Sequence, residues 1–363
     1  MTPERALHQF VAALAYGDAV GNHVLTLRRI LRGCSLESAV FYGSAESRMQ
    51  AEGWLFGDYD AHRGRPDAGQ VLYHVSIGTP VGDFLAARDE EVLVDYHDFT
   101  PPEYFNVYDP LAAELVEQGQ WQLEALAERS PLAWAHSEFA RADLEKAGYA
   151  NTLVLPYLTD LSAFNEPPDP ETLRSIRETK GPGPDVVFVG RVAPNKRHDD
   201  LIKLVRLYRE VAGRPLRLFC VGDISDRLAR YGDELRSFTR ELGVEDSVVF
   251  TGSVTQAQLR AYYAACDVFV SMSEHEGFGV PLVEAMYMGL PVVAYGAAAV
   301  PETAGAGALV LPRKDLVEFA VAIDLLFSDE DARETLRRAG KRRAVDFALQ
   351  PATQRYVDKL CPH

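Results

Sequence analysis

The sequence predicts an α/β protein made of two Rossmann-like, doubly wound domains. Short β-branched runs alternate with amphipathic segments along almost the whole length, the pattern of a parallel sheet covered by helices on both faces. At about 100–200 residues per domain, 363 residues are enough for two cores. The rhythm breaks once, over 159–185. There Asn165-Glu166-Pro167-Pro168-Asp169-Pro170 and Gly181-Pro182-Gly183-Pro184 flank a short polar stretch, as a linker does. These breaks divide the chain into domains 1–165 and 166–345, followed by a terminal segment 346–363.

Strands in the first domain are expected at 39–43, 71–77, 92–98, 132–137 and 152–158, with a less regular one at 7–11. The second domain offers 186–190, 216–222, 248–251, 267–271, 291–295 and 308–311. Apolar residues recur at helical intervals in 24–31, 200–211 and 316–327, so helices cross between strands. The segment 351–360 reads as a terminal helix.

Composition excludes several classes. Thirty-seven Lys and Arg against 53 Asp and Glu leave a net charge of −16, unsuited to a nucleic-acid binder that depends on clustered cations. The charge is uneven: residues 1–165 hold eleven basic and 24 acidic side chains, and the remainder 26 and 29. No apolar run approaches the ~20 residues of a membrane span. Met1-Thr2-Pro3-Glu4-Arg5 sets no basic segment ahead of an apolar one, so a cytoplasmic protein is expected. Cys34, Cys220, Cys266 and Cys361 are far apart and read as four reduced thiols.

The most informative run is Ser271-Met272-Ser273-Glu274-His275-Glu276-Gly277-Phe278-Gly279-Val280-Pro281, continuing to Glu284. A strand ends, a glycine turn follows, and Pro281 suits the first turn of a helix. Such a junction aims backbone N–H groups at an anion such as phosphate, and Gly277 and Gly279 allow close backbone approach. Two carboxylates beside an anion site fit if they accept from the hydroxyls of a sugar; solvated glutamates on a plain turn share the pattern. Upstream, a buried strand ends in Gly190-Arg191, with Lys196 five positions on. Arg and Lys at a strand's carboxyl end suit a diphosphate, although an exposed basic loop reads the same way.

Taken in order, Gly190-Arg191…Lys196 and Glu276…Glu284 resemble the donor half of family 4 of the retaining glycosyltransferases, of GT-B fold. Phe219-Cys220-Val221-Gly222-Asp223, Gly252-Ser253-Val254 and Pro301-Glu302-Thr303 add to the resemblance, which is close over roughly 185–312 and looser in the first domain. It implies two Rossmann-like domains facing a cleft, the last helix crossing back to the first domain. It also implies that Arg191 and Lys196 hold the departing diphosphate, Glu276 binds the transferred sugar and Glu284 the ribose. Gly277, Phe278 and Gly279 face sugar and phosphates, while Gly190, Gly252 and Val254 line the donor site.

In the first domain, Gly17-Asp18-Ala19-Val20-Gly21-Asn22 resembles the family's glycine-containing first loop, with Gly17 and Gly21 near the donor phosphates and Asp18 and Asn22 toward an acceptor. The family's adjacent glycine pair is absent here, and Asp18 reads equally as a helix cap. His97 stands where the family carries a histidine against the sugar, with Asp98 beside it and Tyr104 in a following aromatic run.

The resemblance implies transfer of a hexose-type sugar from a nucleotide-diphosphate donor to a hydroxyl, without a protein nucleophile. No recurrent histidine spacing suggests a ligand set, so neither metal nor other cofactor is expected. Asp58-Tyr59-Asp60 is a literal DxD, the signature of metal-dependent transferases, but no buried strand leads into it. An epimerase of the same fold and a non-catalytic sugar-nucleotide-binding module are the competing readings. Expected partners are the donor and a small-molecule or glycan acceptor, with no stable membrane insertion. The acidic first domain suggests a neutral or cationic soluble acceptor, such as an aminocyclitol or amino-sugar core.

Overall fold

The computed structural model describes residues 5–15, 17–63 and 69–361. The chain divides into two units. One holds the described residues up to Glu103, Pro110–Thr159 and the tail from Phe347, and the other holds Tyr104–Asp109 and Asp160–Asp346. The division falls ahead of the proline run, and the short aromatic segment 104–109 groups with the second unit.

The first unit is built on seven strands: β1 His8–Leu14, β2 Val40–Ala45, β3 Trp54–Leu55, β4 Gln70–Val75, β5 Glu91–Tyr96, β6 Ala133–Ala135 and β7 Thr152–Val154. They lie in the order β3-β2-β1-β4-β5-β6-β7, every pair parallel. The edge strand β3 escaped the sequence reading because two residues carry no period; a small pair, Arg5–Ala6 with Leu36–Glu37, did too. The helix Ala19–Gly33 buries Leu27 and Leu31 among Leu72, Leu93 and Trp134.

The second unit has β8 Asp185–Val189, β9 Arg217–Val221, β10 Val248–Gly252, β11 Val268–Ser271, β12 Val292–Tyr295 and β13 Leu309–Leu311. Their order is β10-β9-β8-β11-β12-β13, again parallel throughout. Strands buried on both faces read as continuous apolar runs, which is why Val186–Phe188 and Val268–Val270 are wholly enclosed. Succession runs outward from β8 to β10 and then restarts on the other side at β11. That reversal opens a crevice at the carboxyl ends of β8 and β11, where such sheets bind ligands.

The terminal helix Leu349–Leu360 belongs to the first unit. Its Tyr356 is fully buried in the Leu27–Trp134 core and donates its hydroxyl to Pro156 O at 3.2 Å. Cys34, at the end of Ala19–Gly33, forms a disulfide with Cys361, the Cα atoms 5.8 Å apart. The expectation of four reduced thiols is therefore corrected for this pair. A separation of 327 residues gave the sequence no sign of it, and only the return of the tail brings the two sulfurs together. Cys220 and Cys266 are free and buried. Among the described residues no helix is long and apolar enough to cross a membrane.

Candidate functional site

The loops leaving β8 and β11 build the second unit's crevice. Asn195 is buried and binds the opposite loop twice: its carbonyl accepts from Glu274 N at 2.8 Å, and its Nδ2 donates to His275 O at 3.2 Å. Lys196 then reaches Glu276, Nζ to Oε1 2.7 Å. Arg191 is exposed, with no ion-pair partner among the described residues. A guanidinium and an ammonium thus stand at one sheet edge, one of them paired with the carboxylate expected to meet the sugar.

Backbone geometry explains the glycines. Gly190 N donates to Val221 O at 2.9 Å, and Gly222 bridges to Gly252. A Cβ on Gly222 would lie 2.1 Å from Gly190 O, so the strand ends of β8 and β9 meet only without side chains. Gly279 is left-handed, with φ of 88°, and caps the helix Val280–Tyr287, whose first turn accommodates Pro281. The turn is held by Ala299 N donating to Glu276 O at 3.1 Å and by Thr303 Oγ1 donating to Phe278 O at 2.6 Å. Val254 is half-buried just ahead of Thr255, which caps Gln256–Ala265 in a box with Gln258.

Glu284, in the second turn of Val280–Tyr287, accepts from Tyr263 OH at 2.8 Å. Burial pushes its carboxyl up to about 7, against the opposing hydroxyl bond. Behind the crevice lies a charge network absent from the sequence reading. Arg197, left-handed at φ 53°, pairs with Asp199 at 2.8 Å and Glu274 at 2.6 Å, while Lys314 pairs with Glu274 at 2.6 Å and Asp200 at 3.2 Å. Burial opposes ionisation of Glu274, but Lys314 and Arg197 outweigh it and hold the carboxyl below its usual range. This network locks the Lys196 loop to the Glu276 loop, and its members come from three separated segments that no local motif joins.

In the first unit, Gly17 is left-handed at φ 74°, and Asp18 caps the helix Ala19–Gly33, its Oδ2 accepting from Gly21 N at 3.1 Å. A Cβ on Gly21 would sit 3.0 Å from Ala15 O, so the helix starts hard against the end of β1. Asn22 is exposed. His97 and Asp98 follow β5; the His97 side chain is only 1% exposed, and Asp98 is left-handed at φ 71°. Tyr104 ends the short turn Pro102–Tyr104 and is half-buried. Asp58-Tyr59-Asp60 is no open carboxylate pair: Tyr59 is fully buried, and Asp60 is taken by Arg88 through two bonds of 2.9 and 3.0 Å.

Residues 169–343 match the family described as Glycosyl transferases group 1. D-inositol 3-phosphate glycosyltransferase of Kineococcus radiotolerans is 31% identical over 218 residues, 56% of this chain and 50% of that protein. 2-Deoxystreptamine glucosyltransferase of Streptomyces kanamyceticus is 31% identical over 166 residues, 45% and 41% of the two. This chain spans about half the length of the curated relatives it matches first. Among solved structures, Anabaena HepE in complex with UDP and glucose superposes with a TM-score of 0.76 at 20% identity, covering 97% of this chain and 99% of that one. Sucrose-phosphate synthase from Thermosynechococcus elongatus gives 0.75 at 19%, covering 98% of each. These likenesses bear out the α/β architecture of two Rossmann-like domains. The matched residues 169–343 hold Arg191, Lys196, Glu276, Glu284 and the glycines that shape their crevice.

Proposed function

We propose that the protein is a retaining glycosyltransferase that moves a hexose-type sugar from a nucleotide-diphosphate sugar to a hydroxyl of a small-molecule or glycan acceptor. The observation carrying this reading is the Lys196–Glu276 pair at the crevice of β8 and β11. Donor binding exchanges it: the diphosphate takes Lys196 and Arg191, and Glu276 turns to the sugar hydroxyls. As the bond to the anomeric carbon breaks, negative charge grows on the leaving phosphate, and we assign Arg191, Lys196 and the backbone N–H groups of Gly277, Phe278 and Gly279 to meet it. Such fixed charge stabilises the transition state without reorganisation. Glu284 accepts the ribose hydroxyls.

The acceptor hydroxyl attacks from the face the diphosphate leaves, so anomeric configuration is retained. We assign Gly17 and Gly21 to the donor phosphates, and Asp18, Asn22, Asp98 and Tyr104 to the acceptor. His97, enclosed by protein, acts by positioning its surroundings. No metal takes part in the transfer, the charge on the diphosphate being met by Arg191 and Lys196. The acidic first unit favours a neutral or cationic acceptor. Relatives named for inositol 3-phosphate and 2-deoxystreptamine support a polyhydroxylated ring of the cyclitol type.

A thermal-shift panel of UDP-, GDP-, dTDP- and ADP-sugars, with and without Mg²⁺, tests the donor site. One nucleotide class should raise the melting temperature regardless of metal, and Glu284→Ala should abolish the rise. Equal shifts in wild type and variant, or none with any donor, would remove the proposed site. Product anomers read by NMR test retention.

A further inference from the structure

Asp95, on β5, is fully buried and ringed by four imidazoles. His23 comes from Ala19–Gly33, His74 from β4, His97 follows β5 and His136 follows β6. His23 Nε2 is 2.9 Å and His74 Nδ1 3.1 Å from Asp95 Oδ2, His97 Nε2 is 3.7 Å from the same oxygen, and His136 Nε2 is 3.1 Å from Oδ1.

Hydrogen-bond direction places most of the protons. Leu158 N donates to His23 Nδ1 at 3.1 Å, so His23 carries its proton on Nε2, aimed at Asp95. The Gln9 amide nitrogen faces Val24 O and its oxygen faces Arg28 N, so the amide donates to His74 Nε2 at 2.9 Å. His74 therefore donates from Nδ1, toward Asp95 Oδ2 or His97 Nε2, each 3.1 Å away. His136 differs. Its Nδ1 lies 3.1 Å from Leu155 O, and a carbonyl only accepts, so that nitrogen carries the proton and Nε2 presents a lone pair to Asp95 Oδ1. Among the described residues neither of these two atoms has a hydrogen-bond partner, nor has His97 Nδ1. Two buried acceptors this close repel unless positive charge lies beside both.

We propose that Asp95, His97 and His136 bind a divalent transition-metal ion of the zinc class, at the carboxyl edge of the first unit's sheet. Asp95 Oδ1 and His136 Nε2 stand 3.1 Å apart, close to the ~3.3 Å edge of a tetrahedron with ~2.05 Å bonds, and His97 offers a ligating atom within 4.8 Å of theirs. Neutral imidazole with one carboxylate selects zinc-like ions over magnesium or calcium. His23 falls in the same set, with ligating atoms within 4.8 Å of the others. Both of its nitrogens are already committed, so with His74 it holds Oδ2 and leaves Oδ1 to the ion. Leu155 O fixes the His136 tautomer, as carbonyls do for metal-bound histidines.

This inference does not rest on the transfer reading, and its test has a separate readout. The 363-residue chain, purified without chelator or histidine tag, is analysed for metal after exposure to zinc and scanned for visible d–d bands after cobalt loading. About one equivalent is expected in wild type and in Glu284→Ala, with a loss of at least about tenfold in His136→Gln and Asp95→Asn. A wild type that melts cooperatively yet holds no stoichiometric zinc and shows no cobalt bands would overturn the proposal, leaving a proton between His136 and Asp95. Undiminished metal in both variants would overturn it equally. A variant that fails to fold leaves the decision to the wild-type stoichiometry and the other variant.

Discussion

Glu284 joins burial to a single hydroxyl partner, and its carboxyl sits at about 7 rather than in the ordinary acid range. Folding therefore favours its protonated form. The associated stability is fully present below the unfolded value of about 4.5 and is lost as pH rises through about 7. Glu284→Gln should match wild type in melting temperature near pH 5 and exceed it near pH 8.5, by at most about 3 kcal/mol. Because ionised Glu284 is the better acceptor for ribose hydroxyls, donor affinity measured by calorimetry should tighten as pH rises through the same range in wild type. The variant should show a weak, flat profile. Lys196→Ala and Arg191→Ala each remove a cation from the leaving diphosphate, and kcat should fall by about 10²–10³ in steady-state assays, with the melting temperature little changed.

At the scale of elements, the glycines at the ends of β8 and β9 make a sharper test than the charges. Gly222→Ala places a Cβ 2.1 Å from Gly190 O, a backbone atom that cannot swing aside. It should cost several kcal/mol, of the order of ~3, in denaturant unfolding. Gly213→Ala is also left-handed, at φ 67°, but has open space around it, so about 1 kcal/mol is expected. This contrast also marks what the sequence disclosed. Gly190, Arg191, Lys196, Glu276 and Glu284 lie in two short runs next to recognisable strands, so position at the strand ends together with the family resemblance located their crevice. His23, His74, Asp95 and His136 meet only because four separate elements end or pass at one edge of a sheet, and their spacings of 51, 21 and 41 residues carry no periodic signal. The partner of Glu284, Tyr263, was hidden for the same reason: a neighbouring helix supplies it.

For the whole molecule, the division of charge and the Cys34–Cys361 bond are the features that matter. Disulfides persist in oxidising compartments, so the Cys34–Cys361 bond ties the first unit's stability to redox conditions. Non-reducing peptide mapping should recover the Cys34–Cys361 cross-link. Cys361→Ser should lower the stability of the first unit by about 2–4 kcal/mol, read as faster hydrogen exchange in Leu349–Leu360 and Ala19–Gly33, with the second unit unaffected. The terminal helix escaped placement by composition but not by periodicity, since 351–360 already reads as helical; its attachment to the first unit was an implication of the family resemblance alone.

The return of that helix has a consequence for synthesis. Tyr356 fills the core between Leu27 and Trp134, so the first unit lacks an interior residue until Tyr356 has been translated and has cleared the ribosomal tunnel. The second unit, contained in Tyr104–Asp109 and Asp160–Asp346, needs nothing that follows it. Although it emerges later, it is the unit able to complete its core first. Ribosome-stalled chains carrying residues 1–346 followed by an unrelated linker long enough to fill the exit tunnel should therefore resist protease through the second unit while the first is still digested, the reverse of the order in which the two leave the ribosome.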